Sequence, residues 1–270
     1  MFPWIDGFQW SAGHIIFLSL FFAVVLTILV TFASALWRTA SDFRTHRATE
    51  MCWRVNFAEL PDAERRCRHQ LAGRVASRIC DNAFECRQCL KYPEFAALPA
   101  KAPSQNVGID YSNKLLYHRG HTWVRPEDDG TLTVGLDELA RRMIGHPDSV
   151  ELPVKGSEIE CNGMAWRMMK NGHEIQVRAP IEGTVVCTGG VEDGWYLRLR
   201  PHGPLNLRHL LRGAEVSGWL SGELDRLQLQ LSASKAQPCL ADGGTLMPEL
   251  MDAMPEADWD TVLAATFLNV

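Results

Sequence analysis

The sequence has little positive charge where a secreted protein needs it. Its first basic residue is Arg38, so neither lysine nor arginine precedes the apolar run that begins at Ile15. A cleaved signal peptide starts with a basic segment, so this absence favours a retained membrane anchor, although Ala33-Ser34-Ala35 mimics a cleavage site. Positive charge is not in excess elsewhere, since 27 lysines and arginines face 32 acidic residues. We therefore expect no nucleic acid as a partner.

Familiar catalytic motifs are missing as well. The sequence has no glycine-rich phosphate-binding loop, no HExxH pair and no recognisable nucleophile elbow. The acidic run Glu127 to Asp129 could suggest paired carboxylates, but Asp129-Gly130 is a strong hairpin signal, so these residues belong to a turn. The sequence therefore predicts a protein that is not an enzyme.

A membrane anchor is what the N-terminal region does contain. Residues 15–37 carry no Asp, Glu, Lys or Arg. A helix of this length, at about 1.5 Å rise per residue, spans a hydrocarbon core of about 30 Å. Tryptophans flank the run as in an aromatic belt (Trp4, Trp10, Trp37). Basic residues follow it and none precedes it, which predicts a single pass through the inner (cytoplasmic) membrane, with residues 1–14 as a short extracytoplasmic tail and the bulk in the cytoplasm.

The rest of the chain divides by its residue pattern. Residues 38–106 predict juxtamembrane helices, extending to about residue 70, then a cysteine-rich knuckle and a linker rich in Pro and Ala. From residue 107 the pattern changes to short alternating strands with Gly, Asn or Asp between them, and a helix follows over residues 205–231. Residues 107–231 thus predict a mainly β domain, and residues 232–270 a tail with a short helix.

Four of the eight cysteines form a candidate metal site. They follow the pattern C-x12-C-x5-C-x2-C (Cys67, Cys80, Cys86, Cys89). A cytoplasmic location argues against disulfides, and two thiolates in CxxC spacing can reach one ion, so the four could bind Zn²⁺ or an iron–sulfur cluster. One CxxC is a weak signal, because free cysteine is among the most buried residue types. Simple burial therefore remains the alternative, and it is what we expect of Cys52, Cys161, Cys187 and Cys239.

Several segments of the strand region occur in the same order in one known family. They are "YHRGHTWVRPEDDGTLTVGLDELARRMIG" from Tyr117, then "VELPVKGSEI", "RAPIEGTVV", "GWYLRLRP" and "LRHLLRGAEVSGWL", ending at Trp219. This pattern resembles the glycine cleavage system H protein. The resemblance implies a lipoyl-type barrel-sandwich hybrid of two small antiparallel sheets. The expected fold class is therefore α+β, mainly β, with one N-terminal transmembrane helix, a barrel-sandwich hybrid domain and flanking helices.

The resemblance also implies where a cofactor would be attached. Lipoylated H proteins carry lipoamide on a lysine at a hairpin tip, about seven residues before an Ala-Pro pair. Counting back from Ala179 reaches Gly172, and Lys170 lies earlier. Asn171-Gly172 is the preferred pair of a type I′ turn, which makes Lys170 and His173 its flanking, exposed residues. Lys170 is thus the only lipoyl candidate, and we expect a hairpin that has lost its cofactor-bearing lysine.

These features lead to three hypotheses. The first is a non-enzymatic accessory subunit, anchored in the membrane, that docks a non-lipoylated H-protein-like domain on the cytoplasmic side of a respiratory or photosynthetic complex. Its partners would be the lipid bilayer and the subunits of that complex. The second is a lipoyl carrier modified at Lys170 that serves a membrane-bound redox enzyme. The third is a metal-dependent redox or sensing module centred on the four cysteines.

Overall fold

The computed structural model describes residues 11–44, 57–101, 108–233 and 246–267. Contacts divide the chain into two units, residues 1–48 and residues 49–270. Some predicted features lie outside the described residues. They are the tail before residue 11, Cys52, Cys239 and the end of the Pro- and Ala-rich linker, after Lys101.

The first unit contains one long helix, α1 (Ala12–Arg44). Its part Ala12–Ser34 is long and apolar enough to cross a membrane, and it overlaps the predicted span. Hydroxyl groups along it donate to carbonyls one turn earlier, as Ser19 Oγ does to Ile15 at 2.8 Å and Thr27 Oγ1 to Ala23 at 2.8 Å. The helix therefore satisfies its own polar groups, as a membrane helix must.

The second unit is built on two antiparallel sheets. One has the strand order β1 (Leu116–His118), β2 (Thr122–Pro126), β3 (Leu132–Leu136), β9 (Trp195–Pro201), β8 (Gly183–Gly190) and β5 (Glu158–Ile159). The other has the order β4 (Ser149–Glu151), β6 (Met164–Lys170) and β7 (His173–Arg178). The helices of this unit are α2 (Arg68–Leu71), α3 (Tyr92–Ala96), α4 (Glu138–Ile144), α5 (Ala214–Ala233), α6 (Leu250–Ala253) and α7 (Trp259–Phe267). This arrangement confirms the predicted α+β class.

The core lies between the inner faces of the two sheets. Trp166 of β6 stacks on Tyr196 of β9, with ring centroids 4.9 Å apart. Around this pair the inward-facing residues of both sheets are fully buried (Val134, Val185, Leu197 and Leu199 from one sheet, Met168, Ile175 and Val177 from the other). Each such side chain contributes about 1.5–3 kcal/mol when it leaves water, so burial here accounts for most of the stability of the fold.

Short-range signals explain the elements beside the core. Asp137 caps α4 by accepting the backbone N–H of Ala140 at 2.9 Å, and Gly145 ends the helix with φ +65°. Both ends of α4 are therefore set by residues next to the helix.

Two predicted helices are shorter than expected, because tertiary pairing replaces them. In place of a helix running to about residue 70, the described residues have turns from Glu59 onward and only the short α2. There the backbone of Arg66 bridges to Ile79, which draws the chain out of helical geometry. The helix predicted over residues 205–231 begins only at Ala214, since Leu211 pairs with Tyr117 in an isolated bridge.

The C-terminal residues are part of the domain and not a separate tail. The predicted closing helix is present as α7, but its large side chains and those of α6 belong to the main core (Leu250, Met251, Trp259, Val262, Leu263, Phe267). Residues 246–267, which we call the C-terminal segment, thus share the core of the two sheets.

Candidate functional site

The hairpin between β6 and β7 is the first of two candidate sites. Its register pairs Lys170 with His173, which leaves Asn171 and Gly172 as a two-residue turn. Both turn residues have positive φ, +52° and +84°, as a type I′ turn requires. A Cβ added to Gly172 would meet no atom within 4 Å. The position where the resemblance expects a cofactor lysine is therefore an open turn occupied by glycine.

Lys170 is buried, and the prediction that it would be exposed is wrong. Only 7% of its surface is accessible. Its Nζ donates to the carbonyl oxygen of His146 at 3.0 Å and lies 2.7 Å from Oδ2 of Asp252. Hydrogen bonds from Lys170 and Asn171 lower the pKa of Asp252. The carboxylate that allows Lys170 to be buried belongs to Asp252 of α6. Because α6 lies far along the chain, no local sequence pattern predicts this pair.

The C-terminal segment also holds the hairpin at other points. The side-chain amide of Asn171 donates to Oδ1 of Asp252 at 3.0 Å. On the other side of the turn, Nδ1 of His173 lies 2.6 Å from Oδ1 of Asp260 in α7. The hairpin tip is thus fastened to the end of the chain on both flanks, and only Gly172 is left open.

The second candidate site is the stretch that runs from Cys67 to Cys89, which we call the cysteine segment. Cys67 lies at the start of α2, and its N–H bonds to the carbonyl of Arg78 at 2.9 Å, while the N–H of Cys80 bonds to that of Arg65 at 2.6 Å. These bonds place Cys67 and Cys80 on two adjacent antiparallel segments of the chain. A tight turn follows and carries the other two. All four line one cavity of about 20 Å³ (Cys67, Cys80, Cys86, Cys89).

The cysteine segment brings the predicted ligands together without forming a finished metal site. Within the ranges that the structure describes, no group of three or more His, Cys, Asp or Glu side chains is arranged to hold a metal ion. Burial raises the pKa of Cys86 to about 11 and also raises that of Cys67. As the side chains stand, these two cysteines are neutral thiols.

His69 lies in the same cavity and is a residue that the sequence did not single out. Only 3% of its surface is accessible, and neither ring nitrogen has a hydrogen-bond partner among the described residues. Burial, followed by the charges of Arg68 and Arg74, lowers its pKa to about 4. The ring makes edge contacts with Tyr92 and Phe95, at 5.2 and 5.7 Å between centroids.

Comparison with known proteins identifies the domain that carries the hairpin. The family model described as "Glycine cleavage H-protein" matches residues 115–221. The chain is 31% identical over 126 residues to the glycine cleavage system H protein of Rhodospirillum rubrum, a match that covers 42% of this chain and 99% of that protein. The chain belongs to the glycine cleavage H-protein family. A second relative, the H protein of Psychrobacter cryohalolentis, is 32% identical over 120 residues, covering 40% of this chain and 95% of its own length.

A solved structure of an H protein gives a weaker match. The crystal structure of the glycine cleavage system H protein from Mycobacterium marinum is 21% identical, with a TM-score of 0.35, and covers 40% of this chain and 97% of that one. The family resemblance predicted from the sequence is confirmed by the sequence relatives. The domain of this family is a lipoyl carrier and is not itself catalytic. Both α1 and the cysteine segment lie outside the matched residues.

Two histidines of the H-protein domain have opposite electrostatic surroundings. Burial disfavours the charged form of His121, but Asp137, 2.8 Å from its Nδ1, and Glu223, 3.6 Å from its Nε2, outweigh burial and raise its pKa to about 9. His118 has no carboxylate: burial, with His209 nearby, lowers its pKa to about 3. His121 is thus a charged link within the core.

Arginines fasten the cysteine segment to the H-protein domain. Arg68 forms a buried ion pair with Glu215 of α5, whose other oxygen binds Arg74 at 2.7 Å. Arg87, beside the CxxC turn, binds Glu182 at 2.8 Å. Nothing in the spacing of these residues predicts the pairs, because their partners lie in distant parts of the chain.

The remaining described cysteines lie apart from the cluster. Cys161 is buried as predicted, and its Sγ lies 3.6 Å from the carbonyl oxygen of Pro180 and 3.7 Å from Nε2 of His209. Cys187 of β8 is only half-buried, so the prediction of a buried thiol is wrong there. Alternating residues of β8 face away from the core, and Cys187 follows a bulge in the pairing with β9.

Proposed function

We propose that this protein is a non-enzymatic accessory subunit that presents a non-lipoylated H-protein domain beside a membrane. The observation that carries the proposal is the burial of Lys170, whose Nζ is paired with the partly exposed carboxylate of Asp252. A lipoyl arm is attached through an amide to the lysine Nζ, and it must project into solvent to visit other enzymes. Lys170 is neither exposed nor free, and Gly172 takes the open place at the tip.

Lipoylation of Lys170 would also conflict with its surroundings. An amide has no positive charge, so modification would leave the carboxylate of Asp252 without its ion pair. The amide would also disturb the contacts that Nζ makes with His146 and Asp252. The fold therefore favours the free, charged amine at this position.

The membrane role rests on α1, whose apolar stretch has the length and composition of a membrane helix. One such helix anchors a protein without giving it a transport path. We infer that the bulk of the chain lies on the cytoplasmic side of the inner membrane, because basic residues follow the apolar run and none precedes it. Its partners in this proposal are the lipid bilayer and the subunits of a membrane bioenergetic complex, respiratory or photosynthetic.

Intact-mass spectrometry tests the missing arm. The full chain is purified from membranes of cells that also express a lipoylated H protein as a positive control. We expect the control to carry the lipoyl increment and this chain to carry none. An increment that maps to Lys170, and that disappears in Lys170→Arg but persists in Lys155→Arg, would establish the carrier hypothesis instead.

Co-purification tests the subunit role. After mild detergent extraction, the protein is expected to migrate with other membrane subunits, and a variant that lacks residues 1–37 is expected to be released from the membrane fraction. Migration of the full chain alone would contradict an accessory role in a complex. Retention of the truncated variant on membranes would instead show a second attachment surface.

A further inference from the structure

The backbone of the cysteine segment brings four cysteines to the lining of one cavity. The antiparallel bridge between Arg66 and Ile79 brings the chain on either side of it together. A second turn then returns the chain: the N–H of Cys86 bonds to the carbonyl of Phe84 at 2.8 Å, and that of Cys89 to the carbonyl of Cys86 at 3.4 Å. Two loops that each deliver two thiols to one cavity resemble the layout of a structural metal site.

An unpartnered buried side chain points to a ligand in this cavity. His69 is almost completely buried, lines the cavity with the four cysteines, and has no hydrogen-bond partner for either ring nitrogen within the described ranges. A buried polar group without a partner costs free energy, so such groups are rare in folded proteins. The backbone N–H of His69 already bonds to the sulfur of Cys67. A thiolate in the cavity would give the ring an acceptor as well.

The cavity itself is lined by Arg78, Asp81 and Glu85, and a buried arginine lies behind one of its walls. Arg119 is 9% accessible, its guanidinium lies 3.7 Å above the Phe84 ring, and it donates to the carbonyl of Arg66 at 2.9 Å. Glu223 acts on its charge, and Cys86, Cys80 and Cys67 would do so as thiolates. Arg68 is already paired with Glu215. Arg119 would therefore attract a negative charge on the sulfurs.

We propose that Cys67, Cys80, Cys86 and Cys89 bind one Zn²⁺ ion as a tetrathiolate site in the cavity that His69 also lines. Four thiols lose four protons and one Zn²⁺ is gained, so the site carries a net charge of 2−. The proposal is independent of whether the H-protein domain is lipoylated.

Zinc fits the site better than the other occupants that bind thiolates. A tetrahedral set of four sulfur donors is typical of Zn²⁺ or of an iron–sulfur cluster. A cavity of about 20 Å³ accommodates a single ion and lacks room for added sulfide ions. Since the sulfurs do not yet form a ligand shell, rotation about χ1 of the cysteines, which moves only Sγ, has to complete it.

Metal analysis of the full chain, purified in detergent without chelator, tests the proposal. We expect one zinc per chain in the wild type, none in Cys86→Ser with Cys89→Ser, and one in Cys187→Ser, a matched change at a half-buried cysteine outside the cluster. X-ray absorption of the zinc-loaded protein is expected to show four sulfur neighbours at about 2.3 Å.

Other outcomes would overturn the proposal. Zinc that persists in the double variant, oxygen or nitrogen neighbours in place of sulfur, or iron with inorganic sulfide would each exclude a zinc tetrathiolate. Because the double variant could fail to fold, the wild type is also stripped of metal and reloaded with Co²⁺. Tetrahedral cobalt–thiolate absorption supports the site, and its absence after reloading contradicts it.

Discussion

The hairpin tip and the cysteine segment are the two places where this protein could carry chemistry, and they differ in how their polar groups are satisfied. At the tip, Lys170, Asn171 and His173 each have a partner in the C-terminal segment. In the cysteine segment, both ring nitrogens of His69 lack a hydrogen-bond partner among described residues. The polar side chains at the hairpin tip are therefore satisfied within the fold, whereas the buried ring of His69 in the cysteine segment is not.

The largest effect is expected from breaking the junction between the two regions. Glu215→Ala leaves Arg68, whose side chain is 3% accessible, without its partner, and also frees Arg74. Loss of one partner of a buried pair costs about 3–5 kcal/mol. Urea unfolding followed by tryptophan fluorescence measures this. The control Glu94→Ala removes an exposed pair with Lys91, and its free energy of unfolding is expected to stay within about 0.5 kcal/mol of the wild type. Equal losses in the two variants would show that the ion pairs of Glu215 do not stabilise the fold.

A pH profile extends the comparison to His121, a buried histidine that, unlike His69, has carboxylate partners. The pKa of His121 is about 9 when folded, against about 6.5 when unfolded. Its contribution is therefore complete below pH 6.5 and is lost as pH rises through 9, amounting to about 3 kcal/mol at most. The free energy of unfolding of His121→Gln should fall less between pH 6 and pH 10 than that of the wild type. His146→Gln, at a surface position, should keep the wild-type slope.

A smaller effect is expected where the tip meets the C-terminal segment. Lys170→Ala removes the ion pair with Asp252, but this carboxylate is 40% accessible and can be hydrated, so the cost is about 1–2 kcal/mol. Hydrogen exchange of residues 246–267 is expected to accelerate, because the segment loses one of its attachments to the hairpin. Lys155→Ala, in an exposed turn, serves as the control. Unchanged exchange in Lys170→Ala would mean that the pair does not hold the segment.

The smallest effect is expected at the open end of the turn. Gly172 has φ +84° and free space around it, so Gly172→Ala costs only the strain of a left-handed conformation, about 1 kcal/mol. Gly172→Asn is expected to cost less, because asparagine tolerates this conformation. Thermal unfolding of both variants measures the difference. A much larger loss for alanine would indicate that the tip is packed against another part of the protein.

The sequence predicts what local rules determine. The hairpin at Asn171-Gly172 and the end of α4 at Gly145 depend on residues next to each other, and the order of the H-protein segments was sufficient to recognise the family. The burial of Lys170 could not be predicted, because Asp252 comes from a distant helix. The described turns between Glu59 and Arg68, where a helix was predicted, have the same cause, since the bridge from Arg66 to Ile79 is a pairing between separate stretches.

The cysteine segment shows what residue spacing can predict and what it cannot. Their spacing was enough to group Cys67 and Cys80 with the CxxC pair, and the structure places all four at one cavity. The spacing says nothing about His69 or Arg119, which matter because their polar side chains are buried near the cysteines. Burial of this kind depends on which distant groups fold over a residue, so it can be read only from the structure.

The C-terminal segment also sets an order of events during synthesis. Phe267 packs 6.2 Å from the ring of His121, so the last described residues complete a core whose first strands are made much earlier. Domains generally fold as units while the chain leaves the ribosome. The H-protein domain of this chain has to wait until its end has been translated, and α1 is available for membrane insertion long before that. A ribosome-stalled chain that stops before residue 246 should therefore be sensitive to protease, whereas the released full chain should resist it.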